Sequence, residues 1–180
     1  MSTLYVMVGI PASGKSTKVN EFVENGAIAY SSDVLRGEMF GDPGIQFTDE
    51  WLEKLKYDGP DDYMKKKLFV EKYIFSEIYN RIEKALVDGK DVVMDATNPG
   101  KNTRKRIMDR LKKYADRVVA VVMATPFDVC MERNQKRDRT VPEEAMIRIR
   151  NEFEFPELEE GFDEIIYVND KNDIDYFDYK

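Results

Sequence analysis

Histidine is absent from this chain of 180 residues, and cysteine occurs once. Without histidine, a general base has to be a carboxylate or a lysine, and metal sites with histidine ligands are excluded. The single Cys130 allows no internal disulfide, which fits a reducing compartment. No apolar run approaches the ~20 residues that span a membrane, and the start MSTLYVMVGI lacks the features of a signal peptide. We therefore expect a cytoplasmic protein without membrane contact.

Positive charge is outnumbered by negative charge overall but is locally concentrated. The net charge is −7, which argues against nonspecific binding to long nucleic acids. Residues 101–117 nevertheless carry eight bases against two acids, and residues 133–139 hold three arginines and a lysine. A positive cleft in an acidic body suits a small or localised anionic ligand.

The stretch GIPASGKST, residues 9–17, follows a predicted strand and opens a predicted helix. Its Gly-x-x-x-x-Gly-Lys-Ser pattern is that of a phosphate-binding P-loop, in which backbone N–H groups surround the β-phosphate and the lysine reaches the γ-phosphate. The residues predicted to bind the nucleotide here are Gly9, Ser13, Gly14, Lys15, Ser16 and Thr17. The Ser16 hydroxyl is the predicted Mg²⁺ ligand, so ATP and Mg²⁺ are the expected cofactors. The alternative for Thr17 is that it does not contact the nucleotide and is simply a residue that favours the first turn of a helix.

Strand-like and helical patterns alternate along the chain, which predicts an α/β fold with a parallel sheet. We predict a three-layer P-loop NTPase-type sandwich, a single domain over residues 1–180 with five parallel strands flanked by helices. The predicted strands are Thr3–Val8, Ala27–Tyr30, Asp91–Asp95, Arg117–Ala124 and Glu164–Val168. Three irregular segments are an acidic insertion at about 41–62, a short lid at about 134–142 and an acidic tail at about 170–180.

Polar residues follow two other predicted strands. Asp33 and Arg36 are one helical turn apart, so both can face the crevice at the carboxyl edge of the sheet. The alternative is an N-cap aspartate beside a solvent-facing arginine. Asp95 resembles a Walker-B acid, and we assign it, with Thr97, to the side of a second substrate; alternatively Asp95 only ends a strand.

Arg133, Arg137 and Arg139 cluster before the break at Pro142. Arg133 and Arg137 are one helical turn apart and can share a face. Next to a P-loop, such arginines can neutralise charge on a transferring phosphoryl group, and Arg133 is also assigned to nucleotide binding. A solvated charged face is the alternative.

Four blocks, GIPASGKST, SSDVLR, DATN before a basic helix, and RNQKRDRTVP, together resemble the P-loop kinases. The similarity covers about residues 3–150 and is greatest to the 5′-hydroxyl kinase domain of phage-type polynucleotide kinase. The resemblance implies that Asp33 is the general base on the 5′-hydroxyl and that Arg36 binds the phosphate next to the acceptor nucleoside. It also implies that Arg137 stabilises the transferring phosphoryl group.

The sequence thus predicts an ATP-dependent phosphotransferase with an alcohol acceptor, and the resemblance implies that this acceptor is the 5′-OH end of a polynucleotide. Lys15, Asp33 and Arg137 are the predicted catalytic residues, and Arg36, Asp95 and Thr97 the predicted acceptor-binding residues. Two alternatives stay open: a kinase acting on a metabolite or antibiotic hydroxyl, and a non-catalytic nucleotide-binding switch protein. The oligomeric state does not follow from the sequence.

Overall fold

The computed structural model describes residues 1–169, 171 and 174–175. Within them one sheet has the strand order β2-β3-β1-β4-β5-β6. The strands are β1 (Thr3–Val8), β2 (Ile28–Ser31), β3 (Val92–Asp95), β4 (Arg117–Met123), β5 (Glu164–Val168) and β6 (Ile174–Asp175). The first five pair in parallel, as predicted, and β6 adds an antiparallel edge. Apart from Lys171 and β6, the predicted tail at 170–180 lies outside the described residues.

Helices connect the parallel strands. They are α1 (Lys15–Glu24), α2 (Ser32–Phe40), α3 (Asp49–Lys54), α4 (Tyr63–Val87), α5 (Lys101–Leu111), α6 (Phe127–Gln135) and α7 (Glu143–Asn151). Short 3₁₀ turns follow at Lys112–Tyr114 and Leu158–Glu160. The predicted basic helix therefore ends as a regular α-helix at Leu111, and its last turn tightens.

Both faces of the sheet are covered by apolar contacts, which gives the predicted three layers. The larger core joins α4 and α5 to one face of β1, β3 and β4, and a second core joins Val19 of α1 to the other face. A third, smaller cluster packs Cys130 and Met146 against Ile10 of the P-loop. Burial raises the pKa of the Cys130 thiol to about 11, so this side chain is a protonated core residue.

The insertion at 41–62 is anchored to the domain. Thr48 caps α3 by accepting a hydrogen bond from the Trp51 N–H, and Leu52 is buried in the main core. The Trp51 indole donates to the Met39 carbonyl over 2.8 Å and packs near Tyr73 of α4. The insertion therefore contains a short helix, α3, that packs on the domain.

Strand order places a crevice at the carboxyl edge of the sheet. From β1 the chain crosses to β2 and β3 on one side and to β4 and β5 on the other. Ligands of open parallel sheets bind where the order reverses in this way. The loops after β1, β2 and β3 meet there.

Candidate active site

Close packing and backbone conformation fix the loop after β1. A Cβ atom at Gly9 would lie 2.8 Å from the Met123 Cβ and 2.9 Å from the Ser13 Oγ, so only glycine fits. Gly14 has a φ of +96° and directly precedes α1, a backbone that residues with a Cβ rarely adopt. The loop therefore directs the N-terminus of α1, with its partial positive charge, into the crevice.

Lys15 lies at the centre of this loop. Its Nζ donates hydrogen bonds to the carbonyls of Gly9, over 2.8 Å, and Ile10, over 2.7 Å. Burial lowers the pKa of Lys15 to about 8, an effect that Asp95 opposes and that Arg137 reinforces. A partly desolvated ammonium group gains strongly from an anion placed beside it.

The neighbouring hydroxyls of the loop differ in exposure. Ser16 and Thr17 are exposed in the first turn of α1, where their side chains can reach a bound ligand. Ser13 is buried, and its Oγ has no hydrogen-bond partner among the described residues. A buried hydroxyl without a partner costs stability unless a ligand or water satisfies it.

Asp33 and Arg36 form a pair at the start of α2. The helix is capped by Ser31, whose hydroxyl accepts from the Val34 N–H over 3.1 Å, so the alternative of an N-cap Asp33 is wrong. Arg36 is buried, not solvent-facing, and its Nη1 lies 3.4 Å from the Asp33 Oδ1. Its Nη2 lies 3.5 Å from the Glu71 Oε1, a contact across two helices that the sequence did not predict.

The Arg36 guanidinium is incompletely bonded. Both of its carboxylate contacts are longer than the ~2.7–2.9 Å of a strong charge-assisted bond. Its Nε is buried without a hydrogen-bond partner within the described part of the chain. A further acceptor atom, such as a ligand oxygen, would satisfy it.

The turn after β3 is fastened to the P-loop. The Gly9 N–H donates to the Thr97 carbonyl over 3.0 Å, and the Asn98 amide donates to the Met7 carbonyl over 2.8 Å. Asp95, the last residue of β3, thereby lies near Lys15. Burial raises the pKa of Asp95, Lys15 opposes that shift, and Asp33 adds to it, so the two aspartates are close enough to interact.

The predicted lid arginines flank the same space. Arg133 lies in the last turn of α6, and Arg137 and Arg139 follow it in the connection to α7. Arg137 is close enough to Lys15 to affect its pKa, whereas Arg139 Nη1 lies 3.8 Å from the Asp33 Oδ2. The two exposed arginines thus face different ends of the crevice.

One open cleft of about 790 Å³ collects these groups. Its lining includes the predicted site residues Gly14, Lys15, Ser16, Thr17, Asp33, Arg36, Asp95, Thr97, Arg133 and Arg137. Gly9 does not line the cleft but packs under the loop against Met123. Ser13 lines an adjoining cavity of about 280 Å³ together with Asn169 and Lys171. Sequence reasoning missed Asn169, Lys171 and Glu71, because no motif surrounds them.

The cleft combines five cationic side chains with three acidic ones. Its cations are Lys15, Arg36, Arg133, Arg137 and Arg139, and its acids are Asp33, Glu71 and Asp95. The cleft is therefore positive although the chain carries a net charge of −7. Arg104 of the basic helix is buried and pairs with Glu160 through two hydrogen bonds, so its role is structural.

A P-loop between the central strand and α1, in a parallel sheet of this order, defines a P-loop NTPase-type fold. The chain belongs to the AAA_33 family, described as an AAA domain, which matches residues 4–156.

Known proteins of related sequence include a kinase from the genus Methanococcus. The L-seryl-tRNA(Sec) kinase of Methanococcus maripaludis is 23% identical over 174 residues, which are 96% of this chain and 61% of that protein. The chain thus spans about three fifths of that relative.

Solved structures with a similar fold include the following two. A candidate kinase from Chloroflexus aurantiacus has a TM-score of 0.66 at 19% identity, over 93% of this chain and 85% of that one. A chain of the Pnkp1/Rnl/Hen1 RNA repair complex has a TM-score of 0.64 at 21% identity, over 84% of this chain and 43% of that one. Within the described residues, no helix combines the length and apolarity needed to cross a bilayer.

Proposed function

We propose that this protein is an ATP-dependent kinase that transfers the γ-phosphoryl group to the 5′-hydroxyl end of a polynucleotide. The observation that carries the proposal is the position of Asp33 and Arg36, which line the same cleft as Lys15 of the P-loop. A nucleotide hydrolase needs only to orient water. A carboxylate beside an incompletely bonded, buried arginine is instead suited to a second substrate with a hydroxyl and an anionic group.

Each group then has a separate task. The backbone of the P-loop and Lys15 bind the β- and γ-phosphates, and the helix N-terminus stabilises their charge. Arg133 and Arg137 offset the negative charge of the transferring phosphoryl group. Asp33 accepts the proton of the attacking hydroxyl, and Arg36 binds the phosphate next to it.

We assign the Ser16 hydroxyl as the Mg²⁺ ligand. It is exposed at the start of α1 within the cleft, and Mg²⁺ bound through nucleotide phosphates needs only one or two protein ligands. When bound, Mg²⁺ would neutralise phosphate charge. Asp95 lines the cleft at the end of β3, and we assign it with Thr97 to the acceptor side.

A nucleic-acid acceptor is supported by two similarities. One relative is named for seryl-tRNA, and one structural neighbour belongs to an RNA repair complex. Arg36 supplies the anion-binding group that such an acceptor requires beside its hydroxyl.

A second candidate function is phosphorylation of an uncharged small-molecule alcohol. The Glu71 carboxylate lies 3.5 Å from the Arg36 Nη2. Its negative charge partly offsets the positive charge of Arg36 that an acceptor phosphate would meet, which favours an uncharged acceptor. A kinase acting on such an alcohol would use Asp33 in the same way.

Transfer from γ-labelled ATP to a panel of acceptors distinguishes the two. The panel contains DNA and RNA oligonucleotides with 5′-OH ends, nucleosides, nucleoside 3′-monophosphates and sugars. The proposal expects label on the oligonucleotides and the 3′-monophosphates. Label only on sugars or other uncharged alcohols would establish the second function, and nucleotide binding without any transfer would indicate a switch protein.

A further inference from the structure

A single side chain closes the connection between α6 and α7. The Asn134 Nδ2 donates to the Val141 carbonyl over 2.8 Å, and the Val141 N–H donates to the Asn134 Oδ1 over 3.0 Å. Asn134 is only 4% exposed. The two hydrogen bonds join the ends of residues 135–140 as a backbone bridge between two strands would. We call this pair of hydrogen bonds the Asn134 clip.

The residue type follows from this geometry. The clip needs one N–H donor and one oxygen acceptor in the same planar group, at the reach of a single methylene, and among side chains only asparagine meets all three conditions. Aspartate keeps the acceptor but loses the donor. Alanine would leave both backbone groups of Val141 without these partners, a cost that is high where the groups are partly buried.

The clip also connects the lid to the P-loop. The Val141 side chain packs against the small cluster that contains Cys130, Met146 and Ile10. Ile10 belongs to the P-loop, and its carbonyl accepts a hydrogen bond from Lys15. One end of the clipped segment is therefore fixed to the same structural unit that holds the nucleotide phosphates.

The clipped segment carries the lid arginines. Arg137 and Arg139 lie within residues 135–140, Arg133 directly precedes the clip, and all three line the cleft. Arg137 and Arg139 are exposed, and exposed ion pairs such as that of Arg139 with Asp33 restrain the backbone that bears them only weakly. Arginine side chains also lose much rotamer freedom when they are held on a phosphoryl group. A backbone closed in advance leaves less to be ordered during transfer.

We propose that Asn134 is a positioning residue: its two hydrogen bonds to Val141 hold the segment from which Arg137 reaches the phosphoryl-transfer end of the cleft and Arg139 the end near Asp33. This role rests on the proposed kinase function only in so far as these arginines act on the transferring group. The closure of the segment itself does not depend on the identity of the acceptor.

Limited proteolysis tests the closure without any acceptor. Trypsin cleaves after lysine and arginine, and Lys136, Arg137 and Arg139 lie inside the clipped segment. In Asn134→Ala, cleavage at these sites, followed by mass spectrometry, should be at least about tenfold faster than in the wild type. Asn134→Asp keeps one of the two hydrogen bonds, so its cleavage rate should lie between those of the wild type and Asn134→Ala. This second variant also tests the proposal if the alanine variant folds poorly.

Asn25→Ala is the matched control, because the Asn25 amide also bonds a main-chain carbonyl, that of Glu21, but at the exposed end of α1. It should leave cleavage between residues 136 and 139 unchanged. Wild-type cleavage rates in both Asn134 variants would overturn the proposal.

Kinetics test the positioning role. On whichever acceptor the panel identifies, Asn134→Ala should lower kcat about tenfold or more while the KM for ATP stays within about twofold, since the P-loop is intact. The affinity for ADP, measured by calorimetry, should also be unchanged. An unchanged kcat, or a loss confined to nucleotide affinity, would overturn the role. Absence of transfer to oligonucleotides by the wild type would refute only the polynucleotide acceptor, and faster cleavage would still support the closure.

Discussion

The guanidinium of Arg36 lies 3.4 Å from the carboxylate of Asp33, one helical turn away on α2. Ser31 provides the helix cap, so the Asp33 carboxylate is available to the cleft. Arg36 is held from its other side by Glu71 of α4. An acid that can take a proton and a cation that can bind an anion therefore lie side by side, facing the P-loop across the cleft.

Asp33→Asn keeps the shape of the side chain but cannot accept a proton. If Asp33 is the general base, kcat should fall by roughly 10²-fold or more, while the acceptor KM changes little. Steady-state kinetics with varied acceptor concentration measure both constants. Asp109→Asn, which changes an exposed acid of α5 paired with Lys105, is the control. A loss confined to KM would make Asp33 a binding residue only.

Lys15→Ala should remove most activity without unfolding the protein, because it deletes the charge that meets the transferring phosphoryl group. Circular dichroism checks the fold, and labelled transfer checks the activity. Near-wild-type turnover in this variant would refute the kinase proposal altogether.

The titration of Lys15 should also affect stability. Its pKa is about 8 in the folded chain against an ordinary value of 10.5, so between these pH values the unfolded state binds more protons. Raising the pH through this range should therefore increase the free energy of unfolding of the wild type relative to Lys15→Met, which has no titrating group there. Below pH 8 the difference should be nearly constant. Urea unfolding at several pH values between 7 and 10.5 measures it, and a difference independent of pH would contradict the burial of this ammonium group.

Arg137 and Arg139 should differ in function because they face different ends of the cleft. Arg137→Lys keeps the charge but loses the planar fork that can bind two phosphoryl oxygens, so kcat should fall clearly. Arg139→Ala should mainly change the acceptor KM, since Arg139 lies near Asp33. Initial rates with each substrate varied in turn separate the two effects. If Arg137→Ala keeps the wild-type kcat and Arg139→Ala lowers it, the transferring phosphoryl group contacts Arg139 instead.

The parts of the site that sequence reasoning predicted are local in the chain. Gly9 to Thr17 form one loop with a defined spacing, and alternating apolar segments predicted the parallel strands to within a residue or two. The burial of Arg36 could not be predicted in this way. Its contact with Glu71 joins residues 35 positions apart, and a local sequence pattern does not predict contacts between residues so far apart.

The same limit applies to two asparagines. Asn98 ties the turn after β3 to the Met7 carbonyl of β1, and Asn134 closes the connection to α7. In the sequence both are ordinary polar residues within a motif block. The division into domain, insertion and moving lid stays a prediction, as do the catalytic roles assigned to the cleft residues.

Arg36 decides whether the acceptor carries a phosphate beside its hydroxyl. A nucleoside 3′-monophosphate should be phosphorylated far better than the unphosphorylated nucleoside, and Arg36→Ala should erase most of that difference, since a charge-assisted contact contributes ~1.5–3 kcal/mol. The ratio of kcat/KM for the two acceptors measures it in each protein. Arg81→Ala, which removes an arginine paired with Glu38 and Glu77 outside the cleft, should keep the wild-type ratio. Equal rates for the two acceptors in the wild type would favour the small-molecule function.

Transfer of a phosphoryl group from ATP to a 5′-hydroxyl can be measured with a pair of matched oligonucleotides. One carries a 5′-OH end and the other, of identical sequence, a 5′-phosphate; each is incubated with γ-labelled ATP and Mg²⁺, then digested to nucleotides to locate the label. We expect label at the 5′ position of the first oligonucleotide, none in the second, and loss of nearly all of it in Asp33→Asn. No label in either oligonucleotide, while a sugar or another uncharged alcohol accepts it, would refute the polynucleotide kinase function.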